Sequence, residues 1–191
     1  MLPNEPPARN AWAPEASWDE ARKEWIVFWS TTIPGRYPDT EGAGGDSGYN
    51  HRVYSMTTRD WKTFSPARVW FDPGFNCIDA TVVRDGKRYI MVFKDERRNP
   101  EKKNLRLAFG DSPAGPWKDV TEPFSDAWVE GPSVVKIGND WWIYFDRYRE
   151  NIAAVSKDHI ERVARKYLDP DRVLIVIVGN AKEIREPLGT L

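Results

Sequence analysis

The chain has 191 residues, 40% of them hydrophobic and 30% charged, enough for one domain or one domain with a small appendage. Twenty-eight basic against 29 acidic residues give a net charge of −1, so no electrostatic feature points to nucleic acid or to an anionic membrane. The longest apolar run, Val173 to Val178, is far too short to span a bilayer, and Met1-Leu2-Pro3-Asn4-Glu5-Pro6-Pro7 lacks the basic and apolar regions of a signal peptide. As written the chain is expected in the cytoplasm; export of longer relatives is compatible with that. The single cysteine, Cys77, excludes an internal disulfide and reads as a small buried hydrophobe. Ten tryptophans stand out; a sugar-binding cleft and a tightly packed all-β core both account for them.

From about residue 11 to 157 the chain reads as short strands rich in Val, Ile, Tyr, Phe and Trp, bounded by Gly, Pro, Asp and Asn. The predicted strands are Glu24–Thr31, Arg52–Thr57, Ala67–Phe71, Ala80–Arg84, Tyr89–Lys94, Leu105–Phe109, Ser133–Ile137, Trp141–Asp146 and Ile152–Ser156. They recur as a group. A short motif opens each unit: Trp12-Ala13-Pro14-Glu15, Ile78-Asp79-Ala80-Thr81, and Glu130-Gly131-Pro132-Ser133. An aromatic strand and a third strand follow, and the first two units end in tails carrying Trp61 and Trp117, expected to pack between blades. The period of roughly 50–60 residues suits a four-stranded blade repeated around an axis. The fold expected is mainly β: a partial β-propeller of about three blades over residues 1–157. An arc of that size leaves open edges.

After Ser156 the pattern changes. Asp158 and Glu161 form a capping box ahead of an apolar stripe (Ile160, Val163, Ala164, Tyr167, Leu168), and Arg172–Val178 reads as a strand buried on both faces. Residues 158–191 are thus predicted as a helix–strand–helix tail, giving a short α/β C-terminal segment. Open blade edges and the apolar C-terminal strand together predict a homo-oligomer.

Hydrolysis of a glycosidic bond needs an acid to protonate the leaving oxygen and a second carboxylate. In a propeller the first strand of each blade lines the axis, so acids at those strand starts converge. Asp79 and Glu130 occupy such places, each just ahead of its blade's inner strand and each among apolar neighbours that raise a carboxyl pKa. Position alone leaves two readings open, catalysis or ordinary turn capping. Lys94, Asp95 and Arg147 end strands where they could reach a sugar hydroxyl, or could form plain surface pairs. His51 leads into a strand, where packing competes with a binding role. The glycine-rich stretch 42–48 has no P-loop lysine and reads as a loop.

Taken as a set and in this order, the three opening motifs resemble landmarks of glycoside hydrolase family 43, over residues 8 to 157. The resemblance implies a five-bladed propeller that hydrolyses arabinosyl, xylosyl or galactosyl linkages with inversion; no cofactor or metal is expected. It matches Glu130 to the general acid and Asp79 to the carboxylate that orients it, and it places Trp12 and Glu15 at the cleft. The family's general base belongs to a blade ahead of the Trp12 motif; only Glu5 is acidic there, and no base is assigned. The expected partner is an oligo- or polysaccharide. The alternative is a carbohydrate-binding or inactive fusion module without turnover. The stretch Ala164-Arg165-Lys166-Tyr167-Leu168-Asp169-Pro170-Asp171, with the strand after it, resembles the end of a pitrilysin-type zinc metallopeptidase. No HxxEH motif accompanies it, so no protease activity is implied.

Overall fold

The computed structural model describes residues 7–43 and 46–147. Among the described residues nine strands form three antiparallel sheets. The first holds β1 (Trp12–Asp19), β2 (Glu24–Thr31), β3 (Arg52–Thr58) and β4 (Arg68–Phe71) in that order. The second holds β5 (Cys77–Asp85), β6 (Arg88–Asp95) and β7 (Asn104–Gly110), and Phe109 makes one further bridge to Lys118. The third is the hairpin of β8 (Glu130–Ile137) and β9 (Asp140–Asp146). The innermost strands adjoin one another, β5 lying against β1 on one side and β8 on the other. This is the mainly-β partial propeller expected from the repeat. The third strand predicted at Ile152–Ser156, the helix–strand–helix tail and its peptidase resemblance lie outside the described residues.

Alternation explains how the sheets stack. In β2, Ile26 and Phe28 point to one face and are buried, while Trp25, Val27 and Trp29 point to the other. The buried face joins one core with the second sheet: Ile26, Phe28, Val53, Trp70 and Phe71 meet Cys77, Ala80, Met91, Phe93 and Ala108. Trp117 packs edge-on against Trp70 with ring centroids 5.3 Å apart, so this tail tryptophan does lie between two sheets. Trp61 does not. It is 52% exposed and touches Trp25 and Phe64 of its own sheet, because no described sheet covers that outer face. Cys77 is fully buried, as expected of a small hydrophobe, and burial pushes its thiol pKa far up. The third sheet is the least covered: Val135, Ile137, Trp142 and Tyr144 are all exposed.

β1 was not among the predicted strands. Residues 12–15 read as a motif leading to the strand at Glu24, because Ala13, Pro14, Ala16 and Ser17 carry little strand preference. The structure makes Trp12–Asp19 the inner strand of the first blade, its turn held by Asp19, whose Oδ1 accepts the Ala21 and Arg22 N–H groups at 3.0 and 3.1 Å. With β1 in place the three inner strands share one irregularity. Each gains an extra residue against its partner, between Trp12 and Glu15, between Ile78 and Thr81, and between Glu130 and Ser133. The second residue of each bulge has positive φ: Ala13 at 46°, Asp79 at 54° and Gly131 at 58°.

Candidate active site

The bulges fix which side chains share a level. Trp12, Ile78 and Glu130 are equivalent, and Ala13, Asp79 and Gly131 are equivalent one residue later. Asp79 and Glu130 therefore lie within their inner strands, one position out of register, and not ahead of them as the motif spacing suggested. The offset has a physical role. A left-handed backbone turns the N–H groups of successive bulges along the arc, and Asp is among the few non-glycine residues that adopt it readily. Asp79 donates its N–H to Ser30 Oγ of the first sheet at 3.2 Å, and its Oδ2 accepts the N–H of Gly131 in the third sheet at 3.2 Å. It thus ties three blades together and stands beside Glu130. Burial raises its pKa, opposed by the Gly131 hydrogen bond and the Lys94 charge and assisted by the negative charge of Glu130.

Glu130 is 38% exposed and accepts a hydrogen bond from Lys94 Nζ at 2.8 Å. Lys94, only 5% exposed, also lies 2.7 Å from Glu96 Oε2, and Lys103 pairs with the other oxygen of Glu96. Burial alone would depress the Lys94 ammonium, but the charges and hydrogen bonds of Glu96 and Glu130 outweigh it, and its pKa is raised. The ammonium is committed to carboxylates.

Glu15 stands at the level of Thr81 and Ser133, just past the bulge. The residue is open to solvent, yet enough of its carboxyl is screened for burial to raise its pKa, against a hydrogen bond with Thr81. Trp12 reaches sideways onto an aromatic group, its ring centroid 4.8 Å from both Tyr49 and His51, and Tyr49 stacks nearly parallel on His51 at 5.2 Å. His51 is buried, with Nδ1 3.0 Å from Asn76 Oδ1. That oxygen only accepts, so Nδ1 carries the proton and Nε2 is a bare, buried acceptor. Burial depresses the His51 pKa to about 4. Arg147 follows β9 in the exposed third sheet and pairs with Asp126.

The structure therefore brings Asp79, Glu130 and Lys94 into one bonded group. Trp12 and His51 join each other by ring contact, and Ser30, the strand partner of Trp12, links them to Asp79. Sequence reasoning did not single out Ser30, Glu96, Lys103 or Asn76. Ser30, Lys94 and Asp146 sit opposite the three bulge-opening residues, Trp12, Ile78 and Glu130, a register that the local sequence pattern does not announce. Among the described residues no cluster of three His, Cys, Asp or Glu side chains is placed to hold a metal ion. A cavity of about 650 Å³ opens elsewhere, on the outer face of the first sheet, lined by Val27, Trp29, Met56 and Phe64 among others.

Chemically, a largely buried carboxyl with a raised pKa beside an anchored, solvent-accessible glutamate is a pair able to hold and pass a proton. The family model for family 43-related glycosyl hydrolases, described as "Probable glycosyl hydrolase domain", matches residues 3–167. An α-L-arabinofuranosidase from Bifidobacterium longum subsp. longum is 34% identical over 98 residues, covering 49% of this chain and 9% of that protein. A family 43 β-xylosidase/α-arabinofuranosidase from a compost microbial metagenome, solved with xylotriose, superposes with a TM-score of 0.50 at 17% identity. That match covers 70% of this chain and 41% of the other and concerns the fold. The chain thus spans less than a tenth of the curated relative and about two fifths of the solved structure.

Proposed function

The chain belongs to the family 43-related glycosyl hydrolases, and from that premise we propose that it acts on O-glycosidic bonds of arabinose- or xylose-containing glycans by an inverting two-carboxylate mechanism. In this reading Glu130 is the general acid and Asp79 the carboxyl that orients it, with Trp12 and Glu15 bordering the sugar. The observation that carries it is the Asp79–Gly131 hydrogen bond, which sets the raised-pKa carboxyl against the residue following Glu130. The names of the relatives, an arabinofuranosidase and a xylosidase/arabinofuranosidase, support the substrate class.

A second reading, a carbohydrate-binding module without turnover, has its own support. The general base has no assigned residue, and without one an attacking water is not activated. The test is hydrolysis of aryl arabinofuranosides and xylosides by the full chain, with and without azide. We expect slow turnover, accelerated by azide as an external nucleophile and lost in Glu130→Gln on substrates whose leaving group needs a proton. Binding of xylo-oligosaccharide with no azide-dependent turnover would establish the second reading. Robust turnover without azide would identify an overlooked base, Glu15 being the first to replace. The uncovered apolar faces of the first and third sheets also support the expected homo-oligomer.

A further inference from the structure

Lys94 ends β6 opposite Ile78, one residue from Asp79 in the next strand. It belongs to a row of alternating charges, Lys103, Glu96, Lys94 and Glu130. The first three are almost wholly buried, whereas Glu130 comes from a different sheet and reaches the surface. A buried ammonium is costly unless paired. Glu96 stands between two buried ammoniums, one oxygen toward Lys103 and the other toward Lys94, so Glu130 supplies the second negative charge of the row.

The corresponding position in the first sheet behaves in the same way. Ser30, equivalent to Lys94, uses its Oγ to hold the bulge of the following blade through the Asp79 N–H. The end of each blade's second strand thus grips the next inner strand, and at the second boundary the grip is ionic. The same boundary has a backbone hold as well, the Asp79 carboxylate on the Gly131 N–H. Glu130 is held by its side chain from Lys94 and by its neighbouring amide from Asp79.

We propose that Lys94 is a positioning residue of the hydrolytic site, its ammonium seating the Glu130 carboxyl beside Asp79 and making no contact with sugar. This rests on the reading of Glu130 as the acid. Glu96 has a part in it. An acid must pass through its neutral form, and when Glu130 does so, Glu96 keeps the Lys94 charge paired, so the ammonium stays in place through a catalytic cycle.

The experiment has two arms on the full chain. In the first, a chain labelled with 15N-lysine and 13C-glutamate is examined for scalar coupling across the hydrogen bond from Lys94 Nζ to the Glu130 carboxyl carbon. Coupling is expected; its absence overturns the proposal without any variant being made. In the second, azide-assisted kcat/KM is measured for aryl arabinofuranosides with good and poor leaving groups. Misplacing an acid by about an ångström costs on the order of 10²-fold, and only where the leaving group needs a proton. Lys94→Met should therefore lose roughly 10²-fold on a phenyl substrate and under about threefold on a dinitrophenyl one, with Lys94→Arg recovering most of the loss. Equal losses on both substrates, or no recovery with arginine, overturn the proposal. If Glu130→Gln itself shows no leaving-group dependence, the acid reading fails, and persistence of the coupling separates that failure from failure of the ion pair.

Discussion

Asp79 offers the sharpest separation of a structural from a chemical role, because two substitutions remove different things. Asp79→Ala takes away the acceptor for the Gly131 N–H, a loss of about 1 kcal/mol. It also places alanine at a φ of 54°, costing about 1 kcal/mol more. Together these should lower the melting temperature by roughly 4–8 °C for a chain of this size. Asp79→Asn keeps an acceptor of the same shape and a side chain that tolerates the left-handed region, so it removes only the charge. The sign of that charge effect follows from burial. The folded-state pKa is raised above 3.8, so the folded protein binds this proton more tightly than the unfolded chain does. An ionised Asp79 is then a burden at neutral pH that disappears as pH falls below about 3.8. The asparagine variant should be as stable as the parent or more so at pH 7, with the difference vanishing near pH 3.5. Its azide-assisted hydrolysis should nevertheless fall by about 10²–10⁴-fold. Thermal unfolding at the two pH values, beside the hydrolysis assay, decides the matter. An asparagine variant as destabilised as the alanine one at pH 7 would refute the reasoning, because the charge would then be holding the blades together.

Three other expectations follow from particular groups. His51 has a folded-state pKa of about 4 against an ordinary 6.5, so its contribution to stability is complete above 6.5 and drains away as pH falls toward 4; ring carbon shifts should show no titration until near pH 4, and a midpoint close to 6.5 would contradict its burial. Ala13→Gly should stabilise the protein by up to about 1 kcal/mol, since alanine at a φ of 46° is strained where glycine is not; a clear loss in denaturant midpoint would mean that the Ala13 methyl contributes packing not evident from its exposure. Light scattering should show a homo-oligomer, most simply a two-fold dimer, for the full chain and a smaller species for one ending near Ser156; a monomeric full chain, with the shortened form equally soluble, would make the C-terminal stretch a passive appendage.

The hairpins were legible because runs of β-branched and aromatic residues sit between strong turn formers, as in Tyr89 to Phe93 after Asp85-Gly86. What could not be read was the set of bulges. Of the three left-handed positions only Gly131 announces itself, while Ala13 and Asp79 look like ordinary strand or loop residues. Missing them hid β1 and placed Asp79 and Glu130 at equal levels. The carboxylates themselves came from the motifs, but the group that grips Glu130 did not. Lys94 is 36 residues away in sequence and meets Glu130 only because β6 and β8 belong to adjoining sheets. Local pattern cannot carry such a pairing; it depends on how many residues the loops between blades insert and on which face each strand end presents.

The repeated bulge also explains why one backbone device yields unlike side chains at the axis. An extra residue at the start of an inner strand frees one N–H from the ladder and turns it toward the neighbouring blade. That donor must be satisfied, and the following blade's bulge donor is met by whatever acceptor the preceding blade supplies: Ser30 Oγ for Asp79, Asp79 Oδ2 for Gly131. Asp79 is acceptor and donor at once, which demands an acidic or amide side chain in a left-handed backbone and leaves few choices besides Asp and Asn. Glu130, one position earlier in its own bulge, is free of that duty. Its carboxyl is bound by an ammonium from the side and remains open to solvent, so it can meet a ligand while Asp79 cannot leave its place. The division between a fixed carboxyl and an accessible one is thus set by backbone register.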